Sequence, residues 1–85
     1  MQDIFIELYY GKYVTLDLHG KTIEEARAEI LHAINTIDAG LSLLVVHGYH
    51  SGTSLKTFVR EEFEHKLVDK KIYIDAGRTL LVIKR

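Results

Sequence analysis

Apolar and polar positions divide this chain into stretches of different period. Ile4, Ile6 and Leu8 alternate with Phe5, Glu7 and Tyr9, a two-residue period that predicts a strand. Tyr10-Gly11-Lys12 reads as a turn and Tyr13 to Leu18 as the next strand, so residues 1–13 predict an N-terminal strand or hairpin. The period then changes. Ile23, Ala26, Ile30, Ala33, Ile34 and Ile37 recur at helical spacing. Thr22 and Glu25 form a capping box ahead of them, and Gly40 tolerates the left-handed backbone that ends a helix, which predicts a helix over 23–39. Leu41 to Val46 is an almost unbroken apolar run, the mark of a strand with neighbours around it. His47 to Ser54 is a polar, glycine-bearing loop in which Thr53 or Ser54 can cap a second helix over 55–68. Leu55, Phe58, Val59, Phe63 and Leu67 are its inner stripe. Ile72-Tyr73-Ile74, a turn at Asp75-Ala76-Gly77 and a return over Thr79 to Ile83 complete the pattern as a hairpin.

The order is β-α-β-α-β-β with an extra strand in front, which predicts an α+β two-layer sandwich. Right-handed crossovers would place both helices on one face of a mixed sheet. The final strand is apolar on both sides, so the other face is expected to be covered incompletely, and a weak homodimer is one use for it. At 85 residues the chain predicts a single domain over 1–85, with its motif-bearing core at 14–85.

Composition narrows the function classes. With no cysteine, disulfides, thiolate catalysis and Cys-based zinc sites are excluded, which fits a reducing, cytoplasmic setting. No apolar run reaches the ~20 residues that cross a membrane. The net charge of -1 argues against bulk attraction to nucleic acid, but its distribution is uneven. Residues 1–47 hold three basic and seven acidic side chains; residues 48–85 hold eight and five. A local basic face is compatible with that split.

Candidate chemistry gathers where two apolar runs end. Asp17 and His19 alternate with Leu16 and Leu18, so both polar side chains fall on one side near a strand end. A carboxylate beside an imidazole orients the ring and selects its tautomer. The second run ends on His47-Gly48-Tyr49-His50-Ser51-Gly52, whose backbone N–H groups could cradle an anion. Ligands usually sit beyond the C-terminal ends of parallel strands, which is where the two junctions would meet. Tyr49 and His50 could stack on an unpaired base, and Lys56 and Arg60, one turn apart, could extend a phosphate track. Bland readings stand beside these: a loop brace, a tight turn, a lone surface aromatic and a solvated helix face. Thr53 occupies the Lys position of a P-loop, so triphosphate hydrolysis is not expected. His47 and His50 lack the helix spacing of a zinc site, and no nucleophile elbow surrounds Ser51 or Ser54. His32 and His65 are expected to be structural or solvent-facing.

Leu16-Asp17-Leu18-His19-Gly20, together with Val45-Val46-His47-Gly48, Gly52, Leu55 and Lys56, resembles the Smr (small MutS-related) domain family over residues 14–85. Thr22, Glu24, Glu25 and Ala26 match the family's T-x-E-E-A continuation. The resemblance implies a fold similar to the C-terminal domain of translation initiation factor three. It also implies DNA or RNA binding, with endonuclease cleavage of phosphodiester bonds in some members; magnesium or manganese would accompany a nuclease. Asp17 and His19 would then be catalytic or substrate-orienting and His47, Gly48 and Gly52 would form the nucleic-acid-facing loop; in an active member His19 or His47 would serve as general base or acid. Lys56 stands where the family usually has Arg, and Tyr49-His50 make the loop one residue longer. On this reading His47→Ala is expected to weaken binding without unfolding the protein. The alternative is a module that binds nucleic acid or protein without catalysis; a site for a small phosphorylated ligand is weaker still.

Overall fold

The computed structural model describes residues 4–48 and 54–84. Its centre is a four-stranded mixed sheet built from β1 (Tyr13–Asp17), β2 (Ser42–Val46), β3 (Val68–Asp75) and β4 (Arg78–Ile83), in the spatial order β1-β2-β4-β3. β1 and β2 are parallel; β2 with β4 and β4 with β3 are antiparallel. The helices are α1 (Ile4–Tyr10), α2 (Ile23–Thr36) and α3 (Ser54–Thr57), the last continued by a wider turn over Phe58–Glu62.

The two apolar sides of the strands build two cores. Leu43, Val45, Leu81 and Ile83 point to the side covered by α2 and α3, where they meet Ile30, Phe58 and their neighbours. Leu44 and Leu80 point to the opposite side, where Ile6 of α1 and Tyr13 meet them. The chain is thus a mixed α+β fold, with a third, partial layer added to the expected two.

That layer is the largest departure from expectation. Residues 4–10 form a helix and not a strand. IFIELYY contains one charged residue, so apolar side chains face every direction and no period distinguishes the two states. Gly11 settles the ending: at φ +85° it adopts the left-handed backbone of a helix C-terminus, and its N–H donates to the Glu7 carbonyl at 2.9 Å. With α1 helical, no N-terminal hairpin forms.

α2 begins as expected. The Glu25 N–H donates to Thr22 Oγ1 at 3.1 Å and the Thr22 N–H to Glu25 Oε1 at 2.9 Å, so two orphan donors are satisfied reciprocally. Thr22→Ala should cost about 1 kcal/mol, a fall of about 4–8 °C in melting temperature for a chain of this size; a calorimetric scan checks it. α2 ends at Thr36, earlier than the expected residue 39, and Gly40 lies in the connection beyond it. The second helix is shorter than 55–68. The Phe63 N–H donates to the Phe58 carbonyl at 2.7 Å, an i→i−5 turn. Lys71 Nζ then donates to the carbonyls of Arg60 (3.2 Å) and Phe63 (2.5 Å), ending the helix from the sheet. The released residues lengthen the hairpin, so that β3 starts at Val68.

Candidate functional site at the sheet rim

Register brings the two sequence junctions to one edge. Asp17 of β1 pairs with Val46 of β2, Val46 with Arg78 of β4, and Arg78 with Asp75 of β3, one row across the sheet. The Leu18 N–H still donates to the Val46 carbonyl at 2.8 Å, after which β1 leaves the sheet. Beyond that row lie His19, the His47-Gly48 junction and the Asp75–Arg78 turn. A Cβ built on Gly48 would stand 3.2 Å from His19 Cβ, so residues nearly thirty apart in sequence are in contact. Gly48 also has φ +74°, and both constraints favour glycine there.

Asp17 and His19 form the exposed pair of the rim. Asp17 Oδ1 lies 2.6 Å from His19 Nδ1 and accepts the His19 backbone N–H at 3.1 Å, an Asx turn that fixes the ring to its own loop. The side chains are 55% and 72% exposed. The hydrogen bond to His19 holds the Asp17 carboxyl below the usual carboxylate range against the opposing effect of burial. An ionised carboxylate accepts only, so Nδ1 carries the proton and Nε2 is the ring nitrogen turned to solvent. A neutral ring can accept a proton at Nε2; a protonated ring can donate from it to a phosphate oxygen.

His47 is placed differently from expectation. It continues the parity of Leu43 and Val45, so its ring turns under the rim towards α3 and is 2% exposed. Nε2 lies 2.9 Å from Thr79 Oγ1 and Nδ1 3.2 Å from the Gly48 carbonyl. The carbonyl can only accept, so Nδ1 donates; the Thr79 hydroxyl, which takes a hydrogen bond from Arg60, then donates to Nε2. That is a neutral imidazole. Burial pushes its pKa down, and the charges of Arg60 and Lys56 push the same way. The ring is committed to holding the β2–β4 edge and does not reach the Asp17–His19 pair.

Arg60 is likewise committed. Nε donates to Thr79 Oγ1 at 2.7 Å, and Nη2 donates to the carbonyls of Arg78 (3.1 Å) and Asp75. Its guanidinium carbon lies 4.3 Å from the centre of the Tyr73 ring. The expected phosphate track therefore loses Arg60. Lys56, half-buried on α3, stays near enough to act electrostatically on His47. The backbone cradle is also reduced, because the N–H groups of His47 and Gly48 both donate to the Gly77 carbonyl, at 2.9 and 3.0 Å. Tyr49, His50, Ser51 and Gly52 lie outside the described residues.

Sequence reasoning missed the third side of the rim, the Asp75–Arg78 turn. Burial pushes the Asp75 carboxyl up, but Arg78 and the Gly77 N–H more than offset this and hold it low. Arg78 contacts it at 2.9 Å through Nε and 2.8 Å through Nη2. The signal was present: a hairpin returning antiparallel to β2 must turn at the edge where β2 ends. Among the described residues no three His, Asp or Glu side chains converge on one point, so the rim does not fit a divalent cation held by these side chains alone. No helix among them is long and apolar enough to cross a membrane. Comparison of the chain with family models, curated proteins and solved structures finds no match in any of the three.

Proposed function

We propose that this protein is a nucleic-acid-binding domain of the Smr type, with the Asp17–His19 pair as the group that meets the phosphodiester. The fold reading that accompanies it is the one shared with the C-terminal domain of translation initiation factor three. One observation carries the proposal: an exposed, carboxylate-oriented imidazole stands on a residue whose Cβ packs beside Gly48, at the edge where the two parallel strands end. Asp17 orients the ring, and His19 Nε2 contacts the phosphate or transfers a proton during its cleavage. Lys56 supplies positive charge nearby. His47 is a positioning residue, because its ring is buried and engaged with Thr79 and the Gly48 carbonyl. No metal-borne step enters this account. Binding without turnover is the second reading, favoured because the His47 and Gly48 N–H groups are already taken by Gly77.

The test is fluorescence anisotropy with labelled single-stranded RNA, duplex DNA and branched DNA, with cleavage followed in parallel with and without magnesium or manganese. Two phosphate contacts would lower affinity about tenfold between about 50 and about 200 mM salt. His19→Ala and Lys56→Ala should each weaken binding about three- to tenfold without loss of fold. Folded wild-type protein that binds none of the three at low salt would defeat the proposal. Binding with no cleavage under any condition selects the second reading.

A further inference from the structure

α1 is apolar almost all round. Ile6 is buried against the sheet, yet Ile4, Phe5, Leu8 and Tyr9 on its other sides are 65%, 67%, 71% and 76% exposed. At helical spacing these four form one stripe, with Ile4 and Leu8 facing directly away from the sheet. A helix hydrophobic on every side belongs in an interior. At roughly 200 Å² for the full exposure of a large apolar residue, these four present about 550 Å², near the top of the range that monomeric proteins leave open.

We infer that this face of α1 is an interface with a second copy of the same chain, two α1 helices packing about a two-fold axis. Area supports it. About 550 Å² on each copy gives about 1,100 Å² in all, just under the size of a stable specific interface and that of a weak, reversible dimer. The stripe contains no charge, so it needs no complementary partner and can meet itself. Glu7 and Lys12 line one shallow cavity beside Ile4 and Leu8, so an antiparallel two-fold sets Glu7 of each copy toward Lys12 of the other. A lipid surface is the poorer occupant: α1 has seven residues and no Lys or Arg, whereas helices that lie on membranes carry a basic polar face. None of the rim residues belongs to the stripe, so the inference stands apart from the proposed function.

Sedimentation equilibrium of the whole chain, wild type and Leu8→Glu, tests it across micromolar to millimolar concentration. Wild type should approach twice its 9.8 kDa mass, and the variant should remain monomeric with dissociation raised at least about thirtyfold. Leu8 is exposed in the single chain, so the variant should keep its far-ultraviolet circular dichroism. The melting temperature of wild type should rise with concentration while that of Leu8→Glu does not. A wild type that stays monomeric at millimolar concentration overturns the inference, including one that instead co-sediments with vesicles containing phosphatidylserine. So does a dimer that Leu8→Glu leaves intact.

Discussion

Arg60→Ala should lower the stability of this protein by about 2–3 kcal/mol, because the change strands several polar groups at once. Thr79 Oγ1 and the carbonyls of Asp75 and Arg78 lose their donor, and the Tyr73 ring loses the cation above it. For a chain of this length that is a fall of about 10–20 °C in melting temperature. Arg60→Lys should recover little, since one ammonium cannot reproduce the planar fork that reaches Thr79 and two carbonyls together. The nucleic-acid binding proposed for this protein, measured for Arg60→Ala well below its melting temperature, should stay near the wild-type value. An unchanged melting temperature with lost binding would return Arg60 to the phosphate track and contradict its structural role.

His47→Ala should also destabilise, by about 2–4 kcal/mol, from the cavity left by a buried ring and from the Thr79 O–H proton, which loses its acceptor. This corrects the expectation that the change would spare the fold. The same ring predicts a pH dependence. Its folded-state pKa lies below the unfolded value of about 6.5, so the unfolded chain takes up a proton first as pH falls. Its contribution is intact above that value and diminishes below it, by at most about 1.4 kcal/mol per pH unit, until the folded-state pKa is reached. Urea titrations from about pH 8 to about pH 2 should show this limb in wild type and a flatter one in His47→Gln. A second loss should follow below the usual carboxylate range in both proteins. Asp17 and Asp75 are held low in the fold, so the stability they provide is present above that range and disappears as they are protonated. Equal slopes between pH 6.5 and pH 5 in wild type and His47→Gln would show that the ring is not held neutral.

The surroundings of the two histidines were unequally legible for a physical reason. Asp17 and His19 are two residues apart at a strand end, so one backbone period and one Asx turn suffice to join them, and both are visible in five residues of sequence. The parity of Leu43 and Val45 already pointed His47 towards the helices. What it would meet there was not legible. Thr79 is 32 residues away and Arg60 reaches it from another element. Those partners decide whether an imidazole at a strand end is a reagent or a brace.

The sequence by itself determined what short-range rules enforce: the capping box of α2, the apolar β2, the β3–β4 hairpin and the Asp17–His19 pair. Each depends on residues within a few positions of one another, where backbone period and local hydrogen bonding leave few alternatives. Tertiary structure alone decided the rest. IFIELYY fits helix and strand equally well until the Gly11 turn closes it against Leu44 and Leu80. His47 and Arg60 were polar residues at plausible positions until Thr79 and the hairpin carbonyls engaged them. In each case the competing states have similar local energies, so long-range burial and the obligation to pair buried polar groups make the choice.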